Sequence, residues 1–166
     1  MIWIDYDRQT AAAYAHRWAY GRNPAYYNYD EIGGDCTNFA SQCIYAGGGV
    51  MNGTPTFGWY YWSANNKAPA WTGVEYLARF MLQTKRRLGP VAELTPLDQI
   101  EVGDVVQLSF DGQRFAHSPV VVGIEGETPT LDTVLVAAHS QDADNRPLST
   151  YPVVALRCLH ILGSWG

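Results

Sequence analysis

The apolar residues change their spacing between Pro90 and Val105, and that change fixes the class of fold. Before it they recur at helical intervals. After it they come in short runs separated by turns of a few residues. The first helix is predicted from Asp5 or Asp7 to Tyr20, with alanines at 11, 12, 13 and 15, Tyr14 and Trp18 four apart, and Gly21 as its stop. A second, of about ten residues, lies between Gly33-Gly34 and Gly47-Gly48-Gly49, with Phe39, Ala40, Cys43 and Ile44 as its apolar stripe. A third starts at Thr72, which with Glu75 three residues later is spaced as a capping box, and buries Val74, Leu77, Ala78, Met81 and Leu82. Lys85-Arg86-Arg87 would form its last turn, with Gly89-Pro90 as the stop. Strands are predicted at 105–110, 118–124, 133–139 and 153–161, with Asp111-Gly112, Glu125-Gly126-Glu127 and Asp144-Asn145-Arg146-Pro147 as turns. Connections this short imply antiparallel pairing, and helices followed by a strand meander give an α+β class.

Composition narrows the function. The 166 residues are 47% hydrophobic, enough for one core, and no repeat or linker divides them, so residues 1–166 are expected to form a single domain. The net charge of −5, without a basic stripe, argues against a nucleic-acid partner. No apolar run is long enough for a transmembrane segment. The opening residues lack the basic and apolar regions of a signal peptide, so the chain is expected to be cytoplasmic or an exported domain without its leader. Three cysteines without a C-x-x-C pair imply at least one free thiol and no disulfide framework. Neither cofactor nor metal is expected, and the chain is expected to be a monomer. The dinucleotide, phosphate-loop, zinc-protease and serine-hydrolase motifs are absent. Asp142-Ala143-Asp144-Asn145-Arg146 begins like a calcium loop but carries Arg at a ligand position and lacks the glycine.

What remains is a cysteine with histidines far downstream. Cys36 opens the second helix, where free amides favour a thiolate, and Gly33-Gly34 would admit a substrate backbone. Cys43 and Cys158 fall in apolar stretches and read as buried small hydrophobes. A nucleophilic cysteine needs a base, and the base an orienting partner. His16 and His160 sit within a helix and the last strand and read as packing residues. His117 and His139 flank a predicted hairpin. A register that sets them opposite or diagonal keeps both on one face; a register shifted by one residue puts them on opposite faces. A zinc site of Cys36, His117 and His139 ranks below thiol catalysis, because the usual ligand spacings are missing.

These residues carry a family resemblance. Gly33-Gly34-Asp35-Cys36-Thr37-Asn38-Phe39-Ala40-Ser41-Gln42 resembles the signature of the putative amidase domain family, related to the papain-like NlpC and CHAP cell-wall amidases and peptidases. Ile100 to Val106, His117 to Gly123 and Ala138-His139-Ser140 resemble the later blocks in the same order. The resemblance implies a papain-like fold, N-terminal helices packed on an antiparallel sheet or half-barrel. It implies amide-bond cleavage with Cys36 as nucleophile, His117 as base and acid, and His139, or alternatively Asp142, as orienter. In that mechanism His117 holds the Cys36 proton as an imidazolium, and the Cys36 amide is one oxyanion donor. Asp35 and Asp142 would support the site. Trp59 and Trp62 either cap the core or line a cleft for a peptide or peptidoglycan-like substrate. The alternatives are a non-catalytic glycan- or peptide-binding module and a Cys–His acyl or amide transferase.

Overall fold

The computed structural model describes residues 1–166. After a short strand β1 (Trp3–Asp5), helix α1 (Arg8–Trp18) starts at Asp7, whose carboxylate accepts the Thr10 amide at 3.0 Å. Helix α2 (Cys36–Ala46) follows, as the glycines predicted. A small hairpin, β2 (Tyr61–Ser63) and β3 (Asn66–Lys67), leads into a one-turn helix α3 (Pro69–Thr72) and helix α4 (Val74–Met81).

The third predicted helix is thus shorter than expected, and its capping box is not formed. Thr72 ends α3, and Gly73 caps α4 without a side-chain bond. The basic cluster lies beyond the helix. Arg87 nevertheless reaches back to the Phe80 carbonyl at the end of α4 and also holds the Pro90 carbonyl.

Seven strands form one curled antiparallel half-barrel: β1, β4 (Gly89–Thr95), β5 (Val105–Ser109), β6 (Val120–Ile124), β7 (Val134–Ala138), β8 (Ala143–Pro147) and β9 (Ala155–Trp165). Strands β5 to β7 are the expected meander, and β8 extends it. β9 departs from it: it returns to β5 and also pairs with β4 and β1. The sequence predicts a helix stop at β4 and a turn at β8, because Gly89-Pro90 and Asn145-Arg146-Pro147 are turn-forming stretches. Here both stretches are drawn into the sheet by pairing with β9 and β7.

The sheet separates two apolar layers. On one face Phe39, Cys43, Ile44, Trp59, Trp71 and Leu77 from the helical half pack against Val105, Val120, Ala137 and Leu159. The inner face gathers Val106, Leu108, Val121, Val136, Leu148, Tyr151 and Cys158. Alternation along each strand sorts the side chains between the layers, so a residue's parity decides which environment it meets.

Candidate active site

Polar residues of the α2 signature are nearly all engaged in the helix-side layer. The Asp35 carboxylate accepts the Tyr29 amide and the Asn38 side chain, both at 2.9 Å, and meets His139 Nδ1 at 2.5 Å. Asn38 also donates to the Tyr27 carbonyl and accepts from the Trp71 indole. The Ser41 hydroxyl donates to the Trp71 carbonyl and accepts from the Trp59 indole. Gln42 accepts from the Tyr14 hydroxyl. Thr37 meets the Ser118 hydroxyl at 3.1 Å, and Gln107 donates to that same hydroxyl at 3.2 Å. Burial pushes the Asp35 carboxyl up, but the bonds from His139, Asn38 and the Tyr29 amide together hold it below its usual value.

Cys36 is the exception within the signature. It is 8% exposed, and its thiol has one hydrogen-bonding contact, Thr37 Oγ1 at 3.7 Å. In the first turn of α2 the amides of Cys36, Thr37 and Asn38 have no backbone partner, and the Thr37 amide turns to the Cys36 thiol. Asp35 occupies the cap position, but its side chain points to Tyr29, Asn38 and His139 instead of closing that turn. Burial pushes the Cys36 thiol up; the Thr37 hydroxyl and the Ser118 and Thr37 amides pull the other way without overcoming it.

The two histidines do not form the expected pair. Val120 faces Ala137 and Val121 faces Val136, so extending the register sets His139 across from Ser118 and turns His117 to the opposite face. The shift comes from a bulge between Val121 and Gly123. His139 lies on the helix side, stacked on Phe39 at 4.0 Å, with Nδ1 on Asp35 and Nε2 donating to the Trp18 carbonyl at 2.8 Å. With both nitrogens engaged it neither orients His117 nor joins Cys36 as a zinc ligand. Asp142 does not replace it: its carboxylate takes two bonds from Arg22.

His117 faces the inner layer, between Tyr151 at 5.6 Å and Phe110 at 6.4 Å, ring centre to ring centre. No side-chain hydrogen bond holds its imidazole; the two rings position it by packing. Burial, then the Arg146 charge, lowers it to about 4. Cys36 lies against the amide of Ser118, next in the chain to His117, and near Tyr151, and no hydrogen bond joins thiol and imidazole. In the free chain burial moves both groups toward their neutral forms, the opposite direction from the expected thiolate–imidazolium pair.

A cleft of about 900 Å³ opens beside His117; Cys36 is not among the residues that line it. His117, Phe110 and Tyr151 form one wall, and Ser140, Gln141 and Asp142 another, with Arg22 and Arg146 as its cations. Ser140 and Gln141 have φ of 61° and 72°, the backbone of a tight hairpin turn that carries them to the rim. Gly34, at φ +95°, lies against Ser140: an added Cβ would sit 3.1 Å from its hydroxyl. The space at that glycine is therefore filled by Ser140, where the sequence suggested a substrate backbone.

Trp59 and Trp62 lie away from this cleft. Trp59 is fully buried, 4.7 Å from Trp71, as a core cap; Trp62 is 56% exposed and stacks on Tyr60. His16 pairs with Asp144 near the surface, and His160 pins the buried Asp104 together with Arg8. Cys43 and Cys158 are core residues. Tyr151, Arg146 and Arg22 were not singled out in the sequence: no motif marks them, and Arg146 lay hidden in an apparent turn.

Residues 5–160 match the family described as "Putative amidase domain". The chain belongs to that family. It is also 34% identical over 146 residues to an uncharacterized protein, YhbB, of Bacillus subtilis (strain 168). That alignment takes in 86% of this chain and 44% of YhbB, so the chain spans less than half of that relative's length. No solved structure matches this one significantly. Membership of the amidase family points to hydrolysis of amides, and no helix is long and apolar enough to cross a membrane.

Proposed function

We propose that the chain is a cysteine-dependent amide hydrolase on a papain-like scaffold related to the NlpC and CHAP groups, acting on peptides of the bacterial cell wall. One observation carries this reading. Among the polar and thiol side chains of Asp35 to Gln42, only Cys36 has no strong side-chain partner, and it stands at the start of α2 against the amide of Ser118, the residue next to His117.

The chemistry follows from a neutral resting pair. On substrate binding His117 takes the Cys36 proton as sulfur attacks the amide carbon. The C–S bond forms, and the carbonyl oxygen gains charge beside the first-turn amides of α2, with the Cys36 amide as a donor. Collapse breaks the C–N bond, and the imidazolium gives its proton to the leaving amine. Water, deprotonated by His117, then cleaves the thioester. Hydrogen bonds absent from a free enzyme commonly form only in the substrate complex, which accommodates the missing Cys36–His117 bond.

The raised thiol and lowered imidazole favour a second reading, a binding module without turnover. Peptidoglycan fragments and simple peptide amides incubated with the protein, followed by mass spectrometry of new carboxyl groups, separate the two. Hydrolysis that disappears in Cys36→Ala, with folding intact, is the expected result. Hydrolysis that persists in Cys36→Ala removes Cys36 from the mechanism. Binding without hydrolysis by the wild type supports the module.

A further inference from the structure

We propose that Arg146 anchors an anionic group of the substrate, a carboxylate carried close to the scissile amide, so that the cleft selects acyl compounds and peptides bearing a free carboxylate. The inference rests on the reading of Cys36 as nucleophile.

Arg146 lies across from Val136 in the β7–β8 pairing, and Val136 belongs to the inner layer. The same parity turns Arg146 toward the face that carries His117, and both line the cleft. Its guanidinium is held from three sides. Nε donates to Thr150 Oγ1 at 2.7 Å, Nη2 donates to the Thr150 carbonyl at 3.0 Å, and Cζ sits 3.6 Å from the centre of the Tyr151 ring. Nη1 makes no hydrogen bond within bonding distance, although the guanidinium lies close enough to the Tyr151 hydroxyl to pull against its burial-raised value. No carboxylate forms an ion pair with this side chain.

The neighbouring charges make that isolation informative. Arg22, the other cation of the cleft, is bound to Asp30 and Asp142, with Asp35 3.7 Å away. Asp144, two residues before Arg146, is turned to His16. Each nearby acid thus has another partner, and Arg146 is the cleft's cation without a counter-ion. In a chain of net charge −5, a preorganised, unpaired guanidinium on the cleft wall with His117 is suited to a ligand's carboxylate. Its planar fork presents donors to an anion at little further entropic cost, and the half-buried wall weakens solvent screening.

The position also links charge to chemistry. After burial, the Arg146 charge is the second cause that keeps His117 from taking a proton. An anion on Arg146 offsets that cause, so a substrate of the right charge makes His117 a better acceptor for the Cys36 proton.

Two alkylating reagents of nearly equal size test this directly. Iodoacetate and iodoacetamide share the reactive carbon and the leaving group, and differ in a carboxylate against a carboxamide. Their rates at Cys36 are read by peptide mapping of the folded protein, with 2-mercaptoethanol as reference thiol. The iodoacetate-to-iodoacetamide ratio at Cys36, relative to the reference, is expected to be raised about tenfold in the wild type and lost in Arg146→Gln. Arg146→Lys, which keeps the charge but not the fork, should retain part of it. A change in thiolate fraction moves both rates together, so the ratio isolates anion anchoring. An equal ratio in wild type and both variants overturns the role of Arg146 while leaving Cys36 as nucleophile. If folded Cys36 resists both reagents and reacts only once unfolded, the nucleophile reading falls, and this proposal with it.

Discussion

The two faces of the half-barrel treat their polar residues in opposite ways. On the helix side, Asp35, Asn38, Ser41 and His139 are closed into one hydrogen-bonded network around Trp59 and Trp71. By contrast, the Cys36 thiol and the cleft residue His117 have almost no partners, and the buried Tyr151 hydroxyl has none. The contrast runs through adjacent residues, for Asp35 and Cys36 are neighbours in the chain. A saturated network resists change because removing one member leaves a buried group unpaired. An unsaturated corner contributes little stability and keeps its bonding capacity for a ligand. Within one signature, then, satisfied polar residues build the scaffold and the unsatisfied thiol is available for chemistry.

The sharpest way to break this contrast is on the scaffold side. Asp35→Ala strands the His139 imidazole and the Tyr29 amide in the core and should cost about 3–5 kcal/mol, read by urea unfolding. Trp59→Ala, at a fully buried ring, should fall in the same range. Cys36→Ala, one residue from Asp35, should cost no more than about 1 kcal/mol while removing hydrolysis. If Asp35→Ala is as mild as Cys36→Ala, the division between scaffold and reactive corner is wrong.

Next in size is a pH effect on the cleft side. His117 is held neutral in the fold, at about 4 against an ordinary 6.5, so below neutrality the unfolded chain binds a proton that the folded chain excludes. The associated stability is present above pH 6.5 and declines as pH falls from there to about 4, by on the order of 3 kcal/mol. His117→Gln should flatten the stability profile across that window, measured by urea unfolding at several pH values. Asp35 acts in a lower range: its depressed value supplies stability that is lost only as pH falls below the usual carboxylate range. A variant profile as steep as the wild type between pH 6.5 and 4 would show that His117 is not the group held neutral.

What the sequence could reveal follows the same physics. Helices α1 and α2 were legible because alanine content, an apolar stripe and flanking glycines all act locally. Strands β5, β6, β7 and the core of β9 were legible from β-rich apolar runs. β4 and β8 were not, since their own residues favour turns and only long-range pairing makes them strands. Cys36 could be found because its position at a helix N-terminus is a local property. The split of His117 from His139 could not, because one bulge near Val121 reverses their faces and no nearby residue pattern announces it. Arg146 stayed hidden for a related reason: its importance lies in which acids other side chains have already taken, a fact of the folded network alone.

The smallest expected effect tests the edge of the comparison. Trp62 is more than half exposed and stacks on Tyr60, outside both the core network and the cleft. A lone exposed aromatic covers little apolar surface, so Trp62→Ala should change stability by less than about 0.5 kcal/mol. If the cleft around His117 and Arg146 contains the whole substrate site, the same variant leaves the Michaelis constant for a small peptide amide unchanged. A raised constant at unchanged stability would instead carry binding along the surface to the Tyr60–Trp62 pair. Long peptidoglycan fragments sharpen the test, since an effect confined to them would assign Trp62 to a distant sugar or peptide unit, while an effect on short and long substrates alike would return it to the cleft.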